Sequence, residues 1–327
     1  MSHKLMRVSN LSVSFETDEA KFVAVDDVSF EIQQGEIVGL VGESGCGKSV
    51  SALSLLRLVP TPPGMIEAGK VVFKGRDLLQ ASIETVRKVR GREISMIFQE
   101  PLSALSPLQR IGQQMVETIQ LHQDIPKSEA WQISLDWLGK VKIPDAAEKM
   151  HAYPFQLSGG MQQRIMIAMA LMMNPELIIA DEPTTALDVT IQAQVFELIR
   201  EMKAERTAIL LITHDMGVVW EMCDRVLVMY ASRIVEQGIT NDIFSAPAHP
   251  YSYSLLKSIP SLSDGKGDKL AVIPGSVPSP ENYPSGCRFR DRCPFAFDRC
   301  KIEMPELVPV SGGHQAACFI AGRFIET

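Results

Sequence analysis

Gly42-Glu43-Ser44-Gly45-Cys46-Gly47-Lys48-Ser49 follows the spacing G-x-x-x-x-G-K-S, and each residue type answers a need of phosphate chemistry. Glycines at 42, 45 and 47 let backbone N–H groups, those of Ser44 and Cys46 among them, converge on the α and β phosphates of a nucleotide. Lys48 supplies charge for the β and γ oxygens. The Ser49 hydroxyl, with Val50 behind it at a helix N-terminus, can bind Mg²⁺. Such a loop must join a strand to a helix, and the flanks comply: Ile37-Val38-Gly39-Leu40-Val41 is a continuous apolar run and Ser51 to Leu58 has helical spacing.

A second group lies at Leu177-Ile178-Ile179-Ala180-Asp181-Glu182, an apolar run that ends in two acids. Ligands bind at the C-terminal edge of a parallel sheet, so Asp181 can hold Mg²⁺ through water while Glu182 polarises an attacking water. The pair is informative only together with the glycine loop. A strand ending in Asp-Glu also occurs at ordinary αβ corners.

The third group is Cys287, Cys293, Cys300 and Cys318, four of the six cysteines, gathered near the C-terminus. In a reducing compartment such a cluster points away from disulfides and toward a metal. The spacing C-x5-C-x6-C-x17-C lacks the short C-x2-4-C hairpins of structural zinc, and Cys293-Pro294 is the Cys-Pro step found in ferredoxin runs. An iron-sulfur cluster, zinc and free thiols all stay open on this pattern. Arg288, Arg290, Arg292 and Arg299 would offset thiolate charge.

The elements that must carry these groups are legible as periods. Short alternating pieces from Leu5 to Ile32 read as antiparallel strands, and Val71 to Phe73 and Ile94 to Phe98 as further strands. Helical periods dominate from Leu108 to Met150. Strands at 177–180 and 208–213 flanked by helical segments argue for a largely parallel sheet with helices on its faces. After Gly238, two short helices (241–245 and 251–258) lead to a Ser/Gly/Asp/Lys-rich linker at 261–269. The Pro-rich tail beyond it cannot hold long helices or central strands and has only the four cysteines as a staple.

Composition narrows the class. The 327 residues suggest about two domains of unequal size. Thirty-nine acids against thirty-two bases, a net charge of −7, have the wrong sign for nucleic acid held by the overall field. No run of eighteen apolar residues exists to span a bilayer, and residues 1–7 carry no apolar core of a secretory signal, so a cytosolic location is expected.

Leu157-Ser158-Gly159-Gly160-Met161-Gln162-Gln163, with Gln99 after its strand, Ala186-Leu187-Asp188 beyond the two acids and His214 after the strand at 209–213, resembles the ATP-binding subunits of ABC transporters over about residues 5–250. The resemblance implies an α/β fold, a P-loop NTPase core with an antiparallel β subdomain and a helical insert at about 100–160. It also implies ATP with Mg²⁺ and two subunits that face head to tail. Ser158 and Gly160 of one subunit would then close over the γ-phosphate held by Lys48 of the other, and Asp188 would cross the seam. Gln99 would touch Mg²⁺ and water, His214 the γ-phosphate, and Phe15 would stack on adenine, although Phe22 lies close by and a core role for Phe15 is equally compatible. Cys46 stands where Ser is common in this loop and would leave a thiol for slow modification.

His249-Pro250-Tyr251, Ile273-Pro274-Gly275-Ser276-Val277-Pro278, Gly286-Cys287-Arg288-Phe289 and Arg292-Cys293-Pro294 are similar to the C-terminal region of bacterial dipeptide and oligopeptide importer ATPases. This implies an ATPase domain at 1–250 and an extension at 251–327 whose four cysteines hold a [4Fe-4S] cluster, with zinc as runner-up, as a fold staple apart from hydrolysis. Implied partners are a homologous second ATPase, two transmembrane permease subunits and, through these, a periplasmic peptide-binding protein, with no nucleic acid. The place would be the cytoplasmic face of the inner membrane. The competing reading is a soluble ABC ATPase working on ribosomes or DNA. Such proteins carry two ATPase units, coiled-coil inserts or basic arms, which this sequence lacks.

Overall fold

The computed structural model of the chain describes residues 4–18, 20–184, 189–202, 205–259 and 272–324. Asp188 and the linker at 261–269 lie outside the described residues. The elements run β1 (Lys4–Glu16), β2 (Lys21–Gln33), β3 (Ile37–Val41), α1 (Lys48–Leu55), β4 (Gly64–Phe73), β5 (Arg76–Asp77), α2 (Ile83–Val89), β6 (Ile94–Ile97), α3 (Pro101–Ala104), α4 (Ile111–Gln120), α5 (Lys127–Lys140), α6 (Ala146–Lys149), α7 (Gly159–Leu171) and β7 (Leu177–Asp181). They continue with α8 (Val189–Met202), β8 (Ala208–Thr213), α9 (Met216–Met222), β9 (Arg225–Tyr230), β10 (Arg233–Ile239), α10 (Thr240–Ser245), α11 (Pro250–Lys257), α12 (Asp298–Ile302), β11 (Val308–Ser311) and β12 (His314–Ala316). Two compact units divide the chain, Met1–Gln80 with Leu211–Thr327 and Ala81–Leu210.

In the first unit, β2-β1-β4-β5 form an antiparallel sheet. The alternation of β1 and β2 buries Val8, Leu11 and Val13 opposite Phe30, Val28 and Val25, which is how a half-buried antiparallel pair writes itself into sequence. β3 is buried along its whole length and pairs in parallel with β9, Gly39 beside Val226. A strand covered on both faces needs apolar residues at every position, hence the unbroken run. β10 returns antiparallel to β9.

The Pro-rich tail extends this sheet, contrary to the expectation that it holds no internal strand. β11 and β12 form a hairpin, and β12 pairs on its other side with β10 through Glu236 with Ala316 and Gln237 with Gln315. Pro309 sits in β11, the edge strand, where a missing N–H costs the ladder least. Glu236 is the anchor: fully buried, its Oε1 lies 2.7 Å from His314 Nε2 and accepts from Ala248 N at 2.6 Å, and its Oε2 accepts from His249 N at 2.9 Å.

The second unit holds the parallel pair β6 and β7, Ile94 beside Leu177 and Ile97 beside Ala180, and the helical insert expected at about 100–160. Ile111, Met115 and Ile119 bury one stripe of α4 at i, i+4 spacing. α7 buries Ile165, Met166, Ile167, Ala168 and Leu171, a near-complete apolar wrap that suits a helix lying inside its unit.

Glu236→Ala removes one carboxylate and leaves two backbone N–H groups and a buried histidine without their acceptor. Breaking a buried network of this kind costs about 3–5 kcal/mol. The urea midpoint is expected to fall accordingly, and an unchanged midpoint would show that Glu236 does not anchor the tail.

Candidate functional site

Each unit carries part of the chemistry, and each part is described by itself. In the first unit the chain leaves β3 at Val41, turns through 42–47 and enters α1 at Lys48. Gly42 and Gly47 have φ of 153° and 105°. A Cβ at Gly42 would lie 2.1 Å from Met229 O, and one at Gly47 would lie 2.3 Å from Ala24 O, so only glycine passes. Lys48 is 5% exposed, and its Nζ donates to Gly42 O at 2.8 Å and Glu43 O at 3.1 Å. The ammonium is thus folded over the loop whose N–H groups can cradle an anion.

Cys46 is fully buried, and that burial pushes its thiol above the ordinary range despite nearby Lys48. Its carbonyl accepts from Ser232 N at 2.9 Å. The expected slow modification is therefore corrected: the side chain is packed away and protonated, the reverse of a reactive thiol.

Phe15, in β1, stacks on Phe22, with centroids 5.8 Å apart and planes at 17°. His214 is exposed directly after β8, and the following Asp215 caps α9 by accepting from Gly217 N and Val218 N.

In the second unit, Asp181 ends β7 at 5% exposure, and Glu182 follows with φ of 44°. A non-glycine residue at positive φ carries backbone strain of the kind found at functional positions. Gln99 Nε2 donates to Glu182 Oε2 at 3.3 Å, which brings two of the expected residues together across 83 positions. Ser158 caps α7, its Oγ accepting from Met161 N. With Gly160, Lys142, Arg164 and Glu197 it lines a cavity of about 510 Å³ at the N-terminus of α7.

Residues 25–185 match the ABC transporter family, and residues 235–300 match the C-terminal region of oligopeptide/dipeptide transporters. The chain is 47% identical to the dipeptide transport ATP-binding protein DppD of Escherichia coli over 315 residues, 96% of each chain. It is 48% identical to the oligopeptide transport ATP-binding protein AppD of Bacillus subtilis over 317 residues, 97% of this chain and 96% of that one. The chain belongs to the ATP-binding proteins of ABC transporters. A bacterial ABC transporter cassette solved as a dimer shares its fold, with a TM-score of 0.64 and 25% identity over 72% of this chain and 98% of that one. Among the described residues no helix is long and apolar enough to cross a membrane.

This ABC ATP-binding protein gathers all four tail cysteines around one cavity of about 20 Å³, walled by Phe289, Phe295, Phe319 and Ile320. Burial raises Cys287, pushes Cys293 up to about 11 and Cys318 up to about 12, and neighbouring thiols add to each. Among the described residues, no three His, Cys, Asp or Glu side chains stand close enough to hold a single metal ion.

The arginines are placed otherwise than expected. Arg290 lies near enough to Cys287 to favour its thiolate. Arg288 pairs with Asp26 and donates to Ala231 O, Arg299 pairs with Glu303 over the Phe319 ring, and Arg292 pairs with Glu43 of the glycine loop. Tyr251 also reaches that loop, accepting from Glu43 N at 2.9 Å. Neither contact has a local signal, since the partners are 249 and 208 positions apart.

Proposed function

We propose that this chain is the ATP-hydrolysing subunit of a membrane importer for dipeptides or short oligopeptides. The observation that carries it is the reach of the similarity: identity near 47% runs through 96% of the chain, beyond the ATPase core into the 235–300 segment matched by the oligopeptide/dipeptide transporter region. A homologous second ATPase, two permease subunits and a periplasmic peptide-binding protein complete the machine, with this chain peripheral on the cytoplasmic face of the inner membrane.

In this reading the backbone of 42–47, with Ser44, Gly45 and Cys46, holds the ATP phosphates. Lys48 leaves the Gly42 and Glu43 carbonyls for the β and γ oxygens, and Val50 continues the helix behind them. Ser49, Asp181 and Gln99 would hold Mg²⁺, which draws charge from the γ-phosphate. Glu182 takes a proton from water as its oxygen bonds to the γ-phosphorus and the bond to the ADP oxygen breaks. His214 steadies the γ-phosphate, and Phe15 stacks on adenine by parting from Phe22. Ser158, Gly160 and Asp188 serve the ATP of the partner subunit, so each site needs both chains.

The same reading gives Cys287, Cys293, Cys300 and Cys318 one [4Fe-4S] cluster. The donor set fits, since four thiols line one small cavity together with His249, Arg290 and apolar side chains, and among the described residues no carboxylate lines it. When bound, the cluster supplies Fe–S bonds that tie the Pro-rich segment together.

Glu182→Gln is expected to keep ATP binding and lower hydrolysis at its own site at least about 100-fold, measured as single-site turnover in the assembled transporter. Turnover at the wild-type rate would remove Glu182 as the base. Anaerobically purified protein is expected to be brown with about four irons per chain, and any one Cys→Ser change among the four bleaches it. Colourless protein with one zinc, or with no metal and an ordered tail, overturns the cluster.

A further inference from the structure

Glu43, the second residue of the glycine loop, is held from outside the loop. Arg292 grips its carboxylate with two parallel bonds, Nη1 to Oε2 at 2.7 Å and Nη2 to Oε1 at 2.9 Å. This forked pairing sets orientation as well as charge. The Arg292 side chain is only 6% exposed and that of Glu43 30%.

Arg292 is itself fixed. Its Nε donates to Pro274 O at 2.8 Å, Nη2 reaches the carbonyls of Ile273 and Gly275, and Nη1 reaches Tyr230 OH at 3.4 Å. Behind it Tyr230, Tyr251 and Phe289 pack pairwise with centroids 4.6–5.4 Å apart. The Tyr251 hydroxyl in turn accepts from Glu43 N. Both handles on Glu43, one on its side chain and one on its backbone, therefore come from residues after Gly238.

Glu43 also matters to the loop's own lysine, because its carbonyl is one of the two that hold Lys48 Nζ. A shift of Glu43 moves that carbonyl and tilts the peptide that leads to Ser44. With its donors engaged by Glu43, Tyr230 and three carbonyls, Arg292 has little left to offer a phosphate. Its part is geometric.

We propose that Arg292 is a positioning residue of the nucleotide site: from the C-terminal segment it clamps Glu43 and so presets the first turn of the loop for ATP. The inference rests on the reading of 42–49 as the ATP site and adds a determinant outside the ATPase motifs. Because Glu43 is partly exposed, water can hydrate its carboxylate when Arg292 is lost. The expected defect is thus a less ordered loop in a folded protein.

The test uses the full chain in its assembled transporter, with the ATP KM and kcat measured together. Arg292→Gln is expected to raise KM for ATP about tenfold, the scale of one charged hydrogen-bonded contact, with kcat within about twofold and the thermal midpoint little moved. Arg292→Lys, which keeps the charge but loses the fork, recovers part of the loss. Glu43→Gln gives the same defect, and the Glu43→Gln/Arg292→Gln pair is no worse than either alone. An unchanged KM in Arg292→Gln, or additive losses in the pair, overturns the clamp. Lys48→Ala separates the two levels: retained ATP affinity in that variant overturns the ATP-site reading and the clamp with it, whereas lost affinity there with a normal Arg292→Gln overturns the clamp alone.

Discussion

The carbonyl oxygens of Met229 and Ala24 approach the glycine loop so closely that no Cβ fits at Gly42 or Gly47. The rest of the arrangement in the first unit depends on that contact. Because β9 delivers Met229 and β2 delivers Ala24, the loop is wedged between two strands and its backbone path is fixed before any ligand arrives. Preorganisation of this kind spares a phosphate site the cost of ordering its donors on binding. Lys48, folded onto the loop carbonyls, satisfies the same geometry from within.

The tail adds a second layer to the same constraint. Glu236 and His314 dock β12 onto β10 without exposing either group to water, and the segment between them in sequence supplies Tyr251, Phe289 and Arg292 to the back of the loop. An extension that composition marks as irregular thus becomes a wall of the nucleotide-binding unit. The thiol cavity draws three of its cysteines from the same segment and the fourth, Cys318, from just beyond His314, and its Cys293 is the residue after Arg292.

Features written in local patterns were legible before the fold was known. β3, β7 and β8 are buried at every position and so read as unbroken apolar runs, while β1 and β2 alternate because one face of each is covered. The glycine loop was readable because its backbone demands particular residues at particular spacings. The bond from Gln99 to Glu182 was foreshadowed only by family resemblance. Arg292 was read as a counter-charge for thiolates, since nothing in its neighbours points to a glutamate 249 positions away. Cys46 reads as a thiol open to slow modification because residue type does not reveal burial. The β11–β12 hairpin was hidden by prolines that are harmless on an edge strand.

The central claim is that ATP turnover by this chain is spent on peptide uptake. Vesicles carrying the chain, its partner ATPase and the two permease subunits, with ATP inside and peptide-loaded binding protein outside, provide the direct measurement. The account predicts that labelled dipeptide accumulates inside and that hydrolysis rises with the loaded binding protein. Hydrolysis that ignores peptide and permease, and responds instead to ribosomes or DNA, would contradict it.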